Sequence, residues 1–218
     1  MAPLSVGVLI SGRGSNLQAL LDASATPGFP ARIVLVVSNK PDAQGLERAR
    51  RAGVATHVVS HRDHGTRESF DRAIDSALRA HGVDFVCLAG FMRLLSDWFV
   101  QTWRDRLINI HPSLLPSFKG LDAQAQALAA GVRLAGCTVH FVRSEMDTGP
   151  IIVQAAVPVR DGDTAEALSA RILEAEHRSY PLALRLIAEG RVRVEDERVV
   201  IDGAQSEGLL ISPDPGSR

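Results

Sequence analysis

The sequence predicts a doubly wound α/β fold, a mostly parallel open sheet with antiparallel strands added in the C-terminal half. Three observations lead there. Short apolar runs alternate with helix-like stretches over the first half of the chain. The first run ends in a glycine-containing turn that opens directly into a helix. Two later runs, Leu134 to Val142 and Ile151 to Val157, are joined by a turn too short for a parallel crossover.

Leu4 to Ile10 reads as a buried strand, followed by Ser11-Gly12-Arg13-Gly14-Ser15-Asn16. Leu17 to Leu21 is helical in composition, with Ser15 or Asn16 expected to cap it. Strand, glycine turn and helix start together form an anion site, because free N–H groups converge where the helix dipole is positive. The turn is neither the dinucleotide fingerprint nor a Walker loop, since it lacks the third spaced glycine and the Lys-Ser/Thr ending. Many α/β proteins carry such a turn without a ligand; a phosphate-bearing small molecule is the sharper expectation.

Arg32 to Ser38 is the second strand, Ala43 to Ala52 a helix stopped by Gly53, and Ala55 to Val59 a short third strand. His57, His61 and His64 lie close in sequence, but the Gly and charged residues among them suggest a mobile loop, and no metal site is expected. Thr66 to Ala80 is amphipathic, with Phe70, Ile74, Ala77 and Leu78 on one face. Arg67 opposes the dipole in its first turn, a mild sign of a ligand role. Val83 to Ala89 is the fourth strand. The apolar turn Gly90 to Leu95 after it suits one wall of a slot for a flat aromatic ligand, or a plug beneath the next helix, Ser96 to Trp103.

Leu107-Ile108-Asn109-Ile110-His111 reads as a strand that Pro112 terminates, which leaves Asn109 and His111 on one face and His111 at the carboxyl end. That edge of an open parallel sheet is where ligands bind. Alone, the run is equally an ordinary strand ending in a surface His. Leu114 to Gly120 must be irregular, and Ala123 to Ala130 is a short helix. In the turn between the antiparallel strands, Asp147 could set a carboxylate beside His111, although Asp and Gly also serve turns. Asp163 is expected to cap a long helix, Thr164 to Ala188, in a capping-box start with Glu166, and Pro181 to bend or break it. Leu168, Ile172 and Leu182 mark its apolar side. Glu176 falls on the same inward stripe and needs a partner there, with ligand hydroxyls one candidate. Val192 to Glu195 and Val199 to Asp202 resemble a small hairpin.

The 218 residues fit one domain over 1–203, with 204–218 expected as a flexible tail on its Ser, Pro and Gly content. Twenty-four Lys and Arg balance 25 Asp and Glu, which argues against a nucleic-acid surface. Cys87 and Cys137 sit singly in apolar runs, as buried free thiols would. No apolar run is long enough to span a membrane and no signal sequence opens the chain, so a cytoplasmic protein is the expectation.

Four segments together resemble the formyltetrahydrofolate-using formyltransferases, in order from about residue 4 to residue 190: Ser11 to Asn16, Ala89 to Arg93, Asn109 to Pro116 and Asp147 to Pro150. The Asn-x-His pair with a later Asp belongs to that family at large. The Gly-x-Gly-Ser-Asn turn is similar to the branch that formylates phosphoribosylglycinamide. The resemblance implies a Rossmann-like formyltransferase fold and direct formyl transfer from 10-formyltetrahydrofolate to the glycinamide amine in purine biosynthesis, with no metal. It implies Asn109, His111 and Asp147 as catalytic, with Asn109 holding an oxyanion, His111 acting as general acid, and Asp147 raising the pKa of His111 and shuttling the amine's proton. Gly14, Ser15 and Asn16 would hold the phosphate and Glu176 the ribose. Arg67, Met92, Arg93, Leu94 and Leu95, with Asn109, would form the folate site. The partners implied are small molecules, with a homodimer left open. Two positions depart from the pattern: Leu173 stands where some relatives carry Lys or Gln, and Gln124 where they carry His. Arg13 is the candidate cation in place of the first. The competing readings are a formyltetrahydrofolate hydrolase, which lacks a use for the phosphate turn, and a non-catalytic phosphate-ligand binder, which lacks a use for the Asn, His and Asp together. A methionyl-tRNA formyltransferase is weaker still, since the chain is not basic.

Overall fold

In a computed structural model, residues 2–204 and 212 are described, so the expected tail lies almost wholly outside the described residues. Among the described residues seven strands form one sheet and two more a separate hairpin. The sheet strands are β1 (Leu4–Ile10), β2 (Ala31–Ser38), β3 (Ala55–Val58), β4 (Phe85–Leu88), β5 (Leu107–His111), β6 (Leu134–Phe141) and β7 (Ile151–Pro158), in the order β3-β2-β1-β4-β5-β6-β7. The first five run parallel; β6 lies antiparallel to β5, and β7 antiparallel to β6. The order reverses at β1 and β4, and the crevice at that switch point, off the carboxyl ends of the strands, is where such sheets bind ligands.

Within the parallel half, β1, β2, β4 and β5 are largely buried, because helices cover both faces of the sheet, while the edge strand β3 is mostly exposed. The helices are α1 (Ser15–Ser24), α2 (Gln44–Arg51), α3 (Arg67–Ala80), α4 (Asp97–Thr102), α5 (Ala123–Ala129) and α6 (Ala165–Ala188). Val6, Val8 and Ile10 of β1 pack with α1, α2 and α6, through Leu17, Leu46 and Tyr180 among others. Leu9, on the other face, packs with Phe70, Ile74 and Leu78 of α3 and Phe99 of α4. The Tyr180 hydroxyl donates to the Leu88 carbonyl at 2.8 Å, which fixes α6 beneath the middle of the sheet.

Several expectations need correction. Neither Ser15 nor Asn16 caps α1. The cap is Gly14, held at φ 71° with no side-chain bond, so the first N–H groups of the helix stay uncovered. Thr164, not Asp163, caps α6 by accepting from the Ala167 N–H; Asp163 instead accepts from the Arg160 N–H and pairs with Arg171. Glu166 is therefore one residue too early for a capping box. Pro181 does not break α6, which runs unbroken to Ala188 while Tyr180, Ala183 and Leu184 bury their side chains around the proline. Leu182 is 47% exposed. At about 100° per residue the buried arc centres near Glu176, and Leu182 falls just outside it. His61 and His64 do not hang in a loose loop: they set their ring edges against Phe70, and His61 starts a short 3-10 turn.

The second hairpin, β8 (Val192–Glu195) and β9 (Arg198–Ile201), turns through Asp196 and Glu197, both at positive φ. Glu197 pairs with Arg104 and Arg143, tying the hairpin to the segments that follow α4 and β6. Among the described residues no helix is long and apolar enough to cross a membrane.

Candidate active site

β5 ends at His111 because Pro112 has no N–H to continue the ladder. Antiparallel pairing sets His140 opposite Asn109 and Thr138 opposite His111, so four polar side chains share one face. Thr138 secures the irregular chain that follows. Its hydroxyl donates to the Ser113 carbonyl at 2.7 Å and accepts from the Leu115 N–H at 3.0 Å. Gln154 on β7 bonds both Thr138 and the Leu115 carbonyl.

Asp147 arrives from the β6–β7 turn. Gly149 lets that turn close: an added Cβ there would lie 1.6 Å from the Phe141 carbonyl oxygen, a distance no side chain tolerates. Asp147 sits at φ 55°, a left-handed conformation that Asp adopts more readily than most residues. Its Oδ2 lies 3.5 Å from His111 Nδ1 and accepts from the Gly120 N–H at 2.9 Å, while Oδ1 lies 3.9 Å from His140 Nε2. All three side chains are nearly buried, at 6% exposure for His111, 8% for Asp147 and 2% for His140. His111 Nε2 stands 2.9 Å from the Phe118 carbonyl. The two ring nitrogens thus face two oxygens, one of the Asp147 carboxyl and one of the Phe118 carbonyl.

His140 is a site residue that the sequence did not single out. Burial pushes its pKa down, partly offset by the Phe141 carbonyl and the Asp147 charge. Nδ1 lies 2.9 Å from the Phe141 carbonyl, while the buried Nε2, the atom turned to Asp147, has no hydrogen-bond partner among the described residues. The one sequence signal was its place opposite Asn109, legible only once the β5–β6 register is known.

At the switch point, Gly14 packs against α2, where an added Cβ would lie 2.7 Å from the Gly45 Cα, and the Gly45 N–H donates to the Gly12 carbonyl at 3.0 Å. Any other residue at Gly14 would meet both this contact and its positive φ. The turn therefore presents the start of α1, Ser15 and Asn16, with its amides free. Asn16 Nδ2 donates to Glu176 Oε2 at 2.7 Å, bringing together two expected site residues 160 positions apart. Burial raises the Glu176 pKa and the Asn16 bond lowers it in part; Asn16 Oδ1 is buried without a partner among the described residues. Arg13 is exposed, and its carbonyl accepts from Arg48 Nε at 2.9 Å. Leu173 is half-buried.

The apolar turn after β4 exposes Met92 (68%) and Leu94 (57%), while Leu95 and Phe91 pack inward on the α3 core. Arg67 and Arg93, both exposed, come together near Asp71, whose carboxyl both stabilise as the anion. A cleft of about 570 Å³ between α1 and α2 is lined by Gln18, Asp22, Glu47, Arg48 and Arg51, none of them an expected site residue. Its polar groups largely satisfy one another, Arg51 in an ion pair with Glu47 and Arg48 donating to the Gln18 amide oxygen. Among the described residues no three His, Cys, Asp or Glu side chains gather as metal ligands would.

The formyl transferase family profile matches residues 4–184. The trifunctional purine biosynthetic protein adenosine-3 of Gallus gallus is 55% identical over 191 residues, 88% of this chain but only 19% of that protein. The phosphoribosylglycinamide formyltransferase of Escherichia coli (strain K12) is 46% identical, over 92% of this chain and 94% of its own. The crystal structure of glycinamide ribonucleotide transformylase 1 from Symbiobacterium toebii superposes with a TM-score of 0.89 at 54% identity, covering 91% of this chain and 94% of that one.

Proposed function

Since the chain belongs to the formyl transferase family, we propose that it transfers the formyl group of 10-formyltetrahydrofolate to the amine of 5'-phosphoribosylglycinamide, a step of purine biosynthesis. The observation that carries this reading is the convergence of Asp147 on His111, 3.5 Å apart and nearly buried, beside Asn109. Simple binding of a phosphorylated ligand has no use for that group.

The phosphate of the glycinamide substrate sits on the free amides of Gly14, Ser15 and Asn16, where the α1 dipole adds to the hydrogen bonds. Arg13 at the same turn adds a cation, in the role that Leu173 cannot fill. Glu176 accepts from ribose hydroxyls, which gives the buried carboxylate the partners it lacks beyond Asn16. Met92 to Leu95 form the apolar wall for the pterin, and Arg67 and Arg93 face the anionic end of the folate.

The amine then attacks the formyl carbon, forming the new C–N bond and a tetrahedral oxyanion. The Asn109 amide donates to that oxygen, a contribution of about 10²–10³ in rate for one well-placed donor. His111 gives a proton to N10 as the carbon–N10 bond breaks. Asp147 takes up the proton lost by the attacking amine, directly or through water, and its charge stabilises the positive charge on the imidazole in the transition state. The Gly120 N–H, which donates to Asp147 Oδ2, holds the carboxylate at its post. One proton leaves the amine and one reaches N10, so the transfer needs no further reactant.

The test is a turnover experiment with formyl-labelled 10-formyltetrahydrofolate, with and without phosphoribosylglycinamide. The label should appear on the glycinamide nitrogen, and only when the acceptor is present. Formate released at the same rate without acceptor would replace this reading with a hydrolase, and no consumption of the folate would replace it with a binding module.

A further inference from the structure

The wall turn Gly90 to Leu95 contains no helix or strand, and two of its large apolar side chains are exposed. A turn of that kind has little in itself to keep it open to a ligand. What holds it comes from outside. At its start the Ser11 N–H donates to the Gly90 carbonyl at 3.1 Å, and the Met92 N–H donates to Ser11 Oγ at 2.8 Å. Ser11 is 4% exposed and is the residue that opens the phosphate turn. At its far end the Ser96 N–H donates to Asp71 Oδ2 at 2.5 Å, and Ser96 in turn caps α4. Between the two, Phe91 stacks on Phe70, with ring centroids 6.4 Å apart and an interplanar angle of 2°.

Asp71 is fully buried, with Oδ1 unpartnered among the described residues. Burial raises its pKa, and the Ser96 bonds and the charges of Arg67 and Arg93 work against that rise. A carboxylate is a costly choice for an apolar helix face unless its bond is needed where it stands. Neither Ser11 nor Asp71 has a role in the reaction or substrate contacts proposed above, yet Ser11 grips the wall at the Met92 N–H and Asp71 grips the residue just past it at the Ser96 N–H, main-chain groups that side-chain substitutions cannot alter.

We propose that Ser11 and Asp71 are positioning residues for the folate: they pin the two ends of the wall, and Ser11 sets its distance from the phosphate turn. The proposal rests on the reading of this turn as the folate wall. Both act through the backbone of Met92 and Ser96 rather than by touching the reacting atoms. Loss of either pin therefore weakens the folate and spares the phosphorylated substrate, although Ser11 lies next to the phosphate turn.

The experiment measures Ser11→Ala and Asp71→Ala against Ser11→Thr and Asp71→Asn, which keep an acceptor oxygen. The readouts are the Kd of tetrahydrofolate by calorimetry, KM for each substrate, kcat and Tm. Each alanine variant is expected to raise the tetrahydrofolate Kd and the folate KM about tenfold, the scale of one lost hydrogen bond to a buried N–H. KM for phosphoribosylglycinamide should stay within about twofold, and the acceptor-keeping variants should recover most of the folate affinity. An unchanged folate Kd in both alanine variants, or equal losses for the two substrates, overturns the proposal. If Asp71→Ala fails to fold, Asp71→Asn and the Ser11 pair still decide it. A wild-type protein that binds no tetrahydrofolate brings down the functional reading itself, a result distinct from a wild type that binds it and variants that bind it equally well.

Discussion

The phosphate turn and the His111 cluster are both built at carboxyl ends of strands, but in opposite ways. The turn is local: Ser11 to Asn16 leave β1 and enter α1 within six consecutive residues, and the backbone of Gly14 does the shaping. The cluster is assembled from β5, β6 and the turn after β6, and its decisive contact joins residues 36 positions apart, His111 and Asp147. A local site of free amides offers binding and little chemistry. A cluster of titratable side chains, held nearly dry by two strands and a tight turn, offers chemistry and little room for binding. The two should therefore fail differently: damage to the cluster shows in kcat, damage to the turn in KM for the phosphorylated substrate.

The largest effect should come from removing the acid. His111→Ala is expected to lower kcat about 10³-fold, within the range for general acid–base groups, with KM for phosphoribosylglycinamide near the wild-type value. Steady-state kinetics at saturating substrates checks it. A rise in that KM with kcat preserved would place His111 in binding and break the contrast.

Next is Asp147→Asn, which keeps an acceptor for the Gly120 N–H and removes the charge beside His111. The expected loss is about 10² in kcat, at the low end for proton transfer, with circular dichroism and Tm close to wild type. If the variant keeps full activity, the carboxylate serves only the turn.

Glu176 sharpens the other side of the comparison. Glu176→Ala should raise KM for phosphoribosylglycinamide about tenfold, through lost hydrogen bonds to ribose, and leave kcat within about threefold. The buried carboxyl also carries a pH signature. Its pKa is raised in the folded chain above the ordinary 4.5, so the fold holds the proton more tightly than the unfolded chain does. That contribution is fully present below pH 4.5 and is lost as pH rises through the folded value. Glu176→Gln should accordingly gain Tm relative to wild type at pH 8 more than at pH 4. Equal shifts at the two pH values would mean that the carboxyl is not buried as described.

The smallest effect is expected at Arg13, an exposed cation in the turn before α1 that we propose faces the substrate phosphate. Arg13→Ala should raise KM for the phosphorylated substrate about threefold, less at high salt, as a screened surface charge does. An unchanged KM at low salt would remove Arg13 from the site.

The two regions also differ in how far the sequence disclosed them. β1 and β5 have the bounds that their apolar runs and Pro112 imply, because a run of β-branched and Leu residues ended by a special residue is a local signal. Glu176 was legible from helical periodicity alone. Asp147 beside His111 followed from one topological step, two strands joined by a short turn on the same sheet edge. The caps of α1 and α6 were not legible, since Gly14 caps through its backbone angle, and Thr164 and Asp163 are both good capping residues that only geometry separates. His140 and Thr138 stayed hidden because β6 is buried on both faces, so alternation could not mark either as functional. Ser11 was read only as part of a turn, its grip on Met92 being a contact across 81 residues.

The most direct test is a single-turnover measurement with enzyme in excess of 10-formyltetrahydrofolate and saturating phosphoribosylglycinamide, made on His111→Ala and Glu176→Ala side by side. The rate of formyl transfer to the amine should fall about 10³-fold in the first and stay within about threefold of wild type in the second, once the substrate is saturating. An unimpaired chemical step in His111→Ala would contradict the assignment of catalysis to the cluster.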